Sequence, residues 1–463
     1  MEYKGHLLSK KIIKSCDIRG IIDKDLNSMD SYFIGRSFAS FLTEHGQKKC
    51  VVGRDGRLSS EDFSKQLIKG LLDSGIDVTD IGLVPVGTVY FSLSYLDITA
   101  SVMVTASHNP AEYNGFKFIS NKLPFHGDDL TRLEHICREG AFTGGKGRVQ
   151  EKDIKAAYID YVHSFLKKDK PSDLKIVWDP GNGAVASVIK KFTENLPGEH
   201  ILICAEIDGN FPNHHPDPCV EKNVRMLKET ILKHEADLGI SFDGDGDRLA
   251  VVDAEGQLYY GDQLLVLLAK EILEDHPSAV IMSEVKASRF FIDEVESMGG
   301  KPLLWKVGHT NQKEKMLEMG IHLAGETSGH FYYKENGNFD DALFTAVKVL
   351  QVFYSKPDSL LNMKKRIPLF HDSGEIRVKL HDKNPDLFLD GVKRYLDNAG
   401  DEYSDVDGIR RESNHGFWII RKSNTEPHLT VRCEDKFQEG YNESLTLIKE
   451  LLHASGLKSG ALS

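Results

Sequence analysis

Ser101-Val102-Met103-Val104-Thr105-Ala106-Ser107-His108-Asn109-Pro110 passes from an apolar run to a polar corner. The first four residues read as a buried strand, and Pro110, which lacks an amide hydrogen, stops regular pairing. Ligands of α/β sheets bind beyond the carboxyl ends of strands, so a hydroxyl, an imidazole and an amide placed there suit a nucleophile at the rim of a sheet. A plain polar turn is the competing reading, and the rest of the chain decides between them.

Upstream, Cys50-Val51-Val52-Gly53 reads as a second strand, followed by the polar turn Arg54-Asp55-Gly56-Arg57. A helix over 59–74 has Phe63, Leu67, Leu71 and Leu72 at helical spacing, and 32–42 is another amphipathic stretch. Downstream, residues 140–150 are rich in glycine and charge and read as the trailing edge of a first domain. Gly140 to Lys146 imitates a phosphate-binding loop, but Gly147 stands where a hydroxyl should ligate magnesium, and no strand precedes it.

The alternation continues. A helix over 154–166 and a strand over 174–178 lead to Asp179-Pro180-Gly181-Asn182-Gly183, and a helix starts near Ala184. Gly181, Gly183 and Ala186 fit a dinucleotide fingerprint, with Glu206 near the position of a ribose-binding acid. A nicotinamide-dependent oxidoreductase is therefore one reading. Strand 238–242 delivers Asp243-Gly244-Asp245-Gly246-Asp247-Arg248, and strand 249–253 follows. Strands near 280, 303 and 322 lead to Lys286, to Gly308-His309-Thr310 and to Gly325-Glu326-Thr327-Ser328-Gly329-His330. After Pro368 the rhythm changes: 375–380, 416–421 and 429–432 read as strands and 443–452 as a helix, a smaller α+β unit. Three related α/β segments and one α+β segment result.

A chain of 463 residues exceeds one core, and 40% hydrophobic with 28% charged residues describes an ordinary globular protein. The net charge of −12 argues against a general nucleic-acid binder, and no apolar run is long enough to cross a membrane. Six scattered cysteines with no C-x-x-C pair suit reduced thiols, which points to the cytoplasm.

Asp243, Asp245 and Asp247 alternate with glycines, which turns the carboxylates to one side of an extended backbone. Crowded carboxylates call for a cation, and hard oxygen ligands favour Mg²⁺ or Ca²⁺. An EF-hand fails, since Arg248 occupies the obligatory glycine position and Ala254 that of the bidentate glutamate. Arg421-Lys422-Ser423-Asn424-Thr425-Glu426-Pro427 offers guanidinium, hydroxyl and amide donors suited to a phosphate dianion. Glu326 and Ser328 suit sugar hydroxyls, and His330, His309 and Lys286 are candidates for binding the ligand or moving protons.

With these loops together, the chain resembles the α-D-phosphohexomutase family, closest to its bacterial phosphomannomutase/phosphoglucomutase branch. The resemblance runs from Asp17-Ile18-Arg19-Gly20 to the loop 421–427; the loops 105–110 and 243–248 are its most specific motifs. It implies a four-domain, heart-shaped α/β enzyme: domain I over 1–153 with the phosphoserine loop, II over 154–256 with the metal loop, III over 257–368 with the sugar-recognition loop, and a smaller α+β domain IV over 369–463 with the phosphate-binding loop. Ser107 would carry the phosphoryl group and, with Asp243, Asp245 and Asp247, hold Mg²⁺. Arg19, Lys117, His108 and His330 would act in the transfer. Arg248, Lys286, His309, Glu326 and Ser328 would meet the sugar, and Arg421, Ser423, Asn424 and Thr425 the second phosphate. Glucose 1,6-bisphosphate or mannose 1,6-bisphosphate would be the activator and a hexose phosphate the substrate. The enzyme would be a cytoplasmic monomer with neither nucleic-acid nor membrane partners. Thr327 stands where the phosphoglucosamine branch usually has glutamine, leaving that activity as an alternative. A non-catalytic sugar-phosphate-binding protein is another.

Overall fold

The computed structural model describes residues 5–166, 173–380, 383–423 and 428–457. They fall into two compact units, Met1–Gly261 with Ser328–Asp358, and Asp262–Thr327 with Ser359–Ser463.

In the first unit, the strand Ser101–Val104 is buried throughout. It pairs in parallel with Lys49–Arg54, which pairs in parallel with Asp77–Leu83. Its other edge meets Tyr113–Ser120 in antiparallel register, Val102 opposite Phe118 and Val104 opposite Phe116. Ile18–Ile21 extends the sheet beyond Tyr113–Ser120, with Arg19 opposite Gly115. The Gly/charge-rich stretch is not merely a trailing edge, since Val149–Glu151 pairs in parallel with Asp77–Leu83 as one more strand. The helices Ser28–Glu44 and Ser60–Asp73 cover this sheet with Phe38, Phe63, Leu67 and Leu71 among their buried residues. Asn27 caps the first of them in a reciprocal capping box with Asp30.

A second mixed sheet in this unit runs Leu258–Tyr259, Leu249–Asp253, Leu238–Phe242, Lys175–Asp179, Glu199–Leu202. Leu238–Phe242 is parallel to Lys175–Asp179 and antiparallel to Leu249–Asp253, so the loop 243–248 is a hairpin turn at the carboxyl end of a central strand. Ala342–Ser355, a helix buried on most of its circumference, belongs to the same unit.

The second unit contains the parallel strands Lys301–Trp305, Val280–Glu284 and Leu323–Gly325. It also holds an antiparallel sheet in which His428–Asp435 pairs with Gly416–Lys422 and with Ile376–Lys379. The helices Pro385–Ala399 and Gln438–Ala454 pack their apolar faces on that sheet. The architecture is thus mixed α/β through most of the chain, with an α+β portion at its C-terminal end.

Candidate active site

Ser107 has φ of +50°, a left-handed backbone that is costly for a non-glycine residue and turns its side chain off the strand end. The turn is held from several sides. Thr105 Oγ1 accepts the Ser107 amide at 2.8 Å and donates to Asp55 Oδ2 at 2.8 Å. Arg57, buried and ion-paired with Asp55 at 3.1 Å, donates to the carbonyls of Ser107 (2.7 Å), Asn109 (2.6 Å), Pro110 (2.6 Å) and Tyr113 (3.1 Å). Neither Asp55 nor Arg57 stands out in the sequence beyond a polar turn after a strand; the pair is recognisable only once the fold brings it under Ser107.

Ser107 Oγ donates to Asp243 Oδ2 at 2.8 Å and lies 3.1 Å from His108 Nδ1. The carboxylates of Asp243, Asp245 and Asp247 converge, with one oxygen of each within 4.8 Å of the others, and all three residues are buried. Asp243 Oδ1 accepts the amides of Gly246, Asp247 and Arg248 at 3.0–3.2 Å. Three chain segments support the loop backbone. The first amides of Ala184–Ser187, Val86–Tyr95 and Ala342–Ser355 donate in turn to the carbonyls of Gly244 (2.9 Å), Asp245 (2.9 Å) and Gly246 (3.1 Å). Helix amino termini carry unpaired N–H groups and partial positive charge, so these contacts offset the acidic cluster.

Lys117 Nζ bridges Asp245 (2.8 Å) and Asp247. Burial, and then the neighbouring Asp247 and Asp245, push the Asp243 carboxyl well above the usual range. Burial also acts upward on Asp247, but Lys117, His330 and Arg248 together outweigh it and hold that carboxyl well below. Burial alone would lower the Lys117 ammonium; Asp245 and Asp247 raise it instead, so it is held as a cation. One oxygen each of Asp245 and Asp247 is buried with no hydrogen-bond partner. Burial and Asp247 raise the Asp245 carboxyl as well, and that orphaned pair, beside a third buried carboxylate, fits a hard divalent cation such as Mg²⁺.

Arg19 donates to Asn109 Oδ1 and to Asp17 Oδ2, which places its guanidinium on the Ser107 loop. Burial, reinforced by Arg248 and Arg19, pushes the His108 imidazole well below its ordinary value and keeps it neutral. Arg248 Nε donates to His330 Nε2 at 3.0 Å, and His330 Nδ1 faces the buried Asp340 at 3.8 Å. Asp340 is a further site residue absent from the sequence reading; the acidic pair before a helix start was the available signal. Ser328 accepts the Cys219 thiol at its carbonyl, 3.1 Å away.

The remaining predicted residues belong to the second unit. Lys286 Nζ pairs with Glu375 at 3.0 Å, and His309 opens the helix His309–Met319. Glu326 is buried and accepts the Gly308 amide at 3.1 Å; Arg421 is buried and pairs with Asp407 at 3.1 Å. The amide of Ser423 donates to the His428 carbonyl at 3.0 Å. Asn424 and Thr425 lie outside the described residues. The dinucleotide reading loses its footing here: a Cβ on Gly183 would sit 2.7 Å from the Gly244 carbonyl oxygen. The close backbone approach serves the acidic loop, not a pyrophosphate.

The comparisons agree along the chain. Residues 10–143, 156–256 and 260–368 match the family descriptions "Phosphoglucomutase/phosphomannomutase, alpha/beta/alpha" domains I, II and III. A Pseudomonas putida protein named phosphomannomutase/phosphoglucomutase is 37% identical over 428 residues, 92% of each chain. A Neisseria gonorrhoeae phosphoglucomutase is 34% identical over 97% of this chain and 98% of its own. The crystal structure of a Burkholderia thailandensis phosphoglucomutase/phosphomannomutase family protein superposes with a TM-score of 0.91 at 34% identity, covering 98% of this chain and 99% of that one. With three domain models matched in succession and relatives aligned over nearly the whole length, the chain belongs to the phosphoglucomutase/phosphomannomutase family, and it is an isomerase of that family.

Proposed function

We propose that Ser107 carries the phosphoryl group of a reaction that exchanges phosphate between C1 and C6 of mannose or glucose phosphates, through a hexose 1,6-bisphosphate. The observation that carries this reading is the hydrogen bond of 2.8 Å from Ser107 Oγ to Asp243, inside a buried cluster of three carboxylates. A hydroxyl meant only for acid–base work gains little from such surroundings, whereas a phosphoserine needs a cation beside it. Asp243, Asp245 and Asp247, with an oxygen on phosphorylated Ser107, would hold Mg²⁺. The ion would supply charge to the transferring phosphoryl oxygens, where such stabilisation is the main source of catalysis.

Lys117 and Arg19 act as charge stabilisers, since the ammonium is held protonated by Asp245 and Asp247 and the guanidinium is anchored on Asn109. His108 remains neutral and positions Ser107. His330 and Arg248 form one hydrogen-bonded pair and serve as substrate contacts. Lys286, His309, Glu326 and Ser328 are assigned to the sugar. Arg421, Ser423, Asn424 and Thr425 are assigned to the phosphate that is not reacting. The segments 1–153, 154–256, 257–368 and 369–463 are the four functional domains of this reading, in a cytoplasmic monomer activated by glucose or mannose 1,6-bisphosphate.

Ser107→Ala tests it. The variant should lose interconversion of mannose 1-phosphate and mannose 6-phosphate, and of the glucose pair, to background. Intact-mass measurement after exposure to glucose 1,6-bisphosphate should place one phosphoryl group on the wild type and none on the variant. A variant that turns over near the wild-type rate removes Ser107 from the mechanism.

A further inference from the structure

A second cluster of ligand-competent atoms lies in the first unit. Asp179 ends the strand Lys175–Asp179, Cys204 follows the strand Glu199–Leu202, and His214 comes from the loop beyond. A carboxylate oxygen, the thiol sulfur and a ring nitrogen lie within 4.8 Å of one another. Asp179 is fully buried, the His214 side chain is 8% exposed, and Cys204 is half-buried and free, which leaves a way in for a small ion.

The protons in this cluster are crowded. His214 Nε2 donates to Asp179 Oδ2 at 2.9 Å and Nδ1 donates to the His215 carbonyl at 3.0 Å, so the ring makes both of its bonds as an imidazolium. The Cys204 sulfur lies within 4.8 Å of a ligand atom of each of these two side chains. The backbone holds the donors in place at a cost: Cys204 has φ of +48° and Asn182 +59°, and the Asn182 amide donates to the Cys204 carbonyl at 2.9 Å. Left-handed non-glycine residues cost roughly 1–3 kcal/mol each and persist where the surroundings over-determine them.

We propose that Asp179, Cys204 and His214 form a second metal site, distinct from the three-aspartate loop, that takes Zn²⁺ or another thiophilic divalent cation. The donor set makes the distinction. Mg²⁺ prefers oxygen alone, whereas one thiolate, one imidazole and one carboxylate with an open position is zinc chemistry. Zinc bonds of about 2.0–2.3 Å arranged tetrahedrally set ligand atoms roughly 3.3–3.7 Å apart, so the His214–Asp179 pair, now at 2.9 Å, need open by only a few tenths of an ångström, and the thiol, within 4.8 Å of both, closes on the ion. Binding expels two protons, one from the thiol and one from Nε2.

Co²⁺, a spectroscopic substitute for Zn²⁺, tests this on the full chain already saturated with Mg²⁺. A thiolate-to-cobalt charge-transfer band should develop and saturate at one equivalent. It should be absent in Cys204→Ser, at least tenfold weaker in apparent affinity in His214→Gln, and unchanged in Cys219→Ser and Asp245→Asn. Circular dichroism establishes that each variant is folded, and His214→Gln carries the test should Cys204→Ser not fold. No thiolate band, a band that survives Cys204→Ser, or one lost only in Asp245→Asn overturns the proposal.

Discussion

Arg57 acts on Ser107 through the backbone. Its guanidinium donates to four carbonyls of the turn 107–113 and pairs with Asp55, which in turn holds Thr105. Breaking a buried ion pair by removing one partner costs about 3–5 kcal/mol, because the survivor keeps its burial and loses its counter-charge. Arg57→Ala is expected to lose stability on that scale in urea unfolding, and mutase activity with it. Arg57→Lys should recover little of either, since a point charge cannot reach four carbonyls at once; recovery to near wild type would show that charge alone is needed. This residue also marks where sequence reading runs out. Ser107 and the three aspartates are legible because each motif is contiguous. Arg57, Asp55 and Asp340 act across gaps in sequence that no local pattern spans.

The acidic loop is an example of how whole elements serve a few atoms. Three amino-terminal amides, from Ala184, Val86 and Ala342, take the carbonyls of Gly244, Asp245 and Gly246 in succession. A Cβ on Gly244 would lie 2.4 Å from the Ser107 carbonyl oxygen, so the loop and the serine turn touch backbone to backbone. Gly244→Ala must therefore part them. Misplacements of about 1 Å can cost around a hundredfold in rate, and a loss of that order in kcat, with unchanged far-UV circular dichroism, is the expected result. A variant with full kcat would mean that the contact is slack. At this scale the strands were well marked by apolar runs ending in polar loops. The strand Val149–Glu151 was not, because its three residues are all exposed and carry no burial pattern. Nor does the sequence show that the helix Ala342–Ser355 starts against the acidic loop, since that contact depends on a residue nearly a hundred positions away.

The two compact units divide the predicted residues unequally: the three-aspartate loop, Ser107 and Lys117 all lie in the first. An ion that binds the folded form alone stabilises it by RT ln(1 + [L]/Kd), about 2.7 kcal/mol at a hundredfold excess over Kd. Calorimetry should accordingly show an unfolding transition that Mg²⁺ moves upward and that Asp245→Asn makes unresponsive. An equal upward shift in that variant would separate the ion's effect from the loop. Alternating strands and helices announce the layered α/β class, but the division into units does not follow sequence order.

That division bears on how the protein is made. The first unit is interrupted: it runs to Gly261, resumes at Ser328 and ends at Asp358, so His330 and Asp340 arrive only after Asp262–Thr327 have been added. A chain growing from its amino terminus has Ser107 and all three aspartates in place long before the partners of Arg248 exist. Synthesis stopped at residue 261 yields an incomplete fold that lacks the helix closing over its own acidic loop, and the first unit is whole only when the ribosome has passed residue 358.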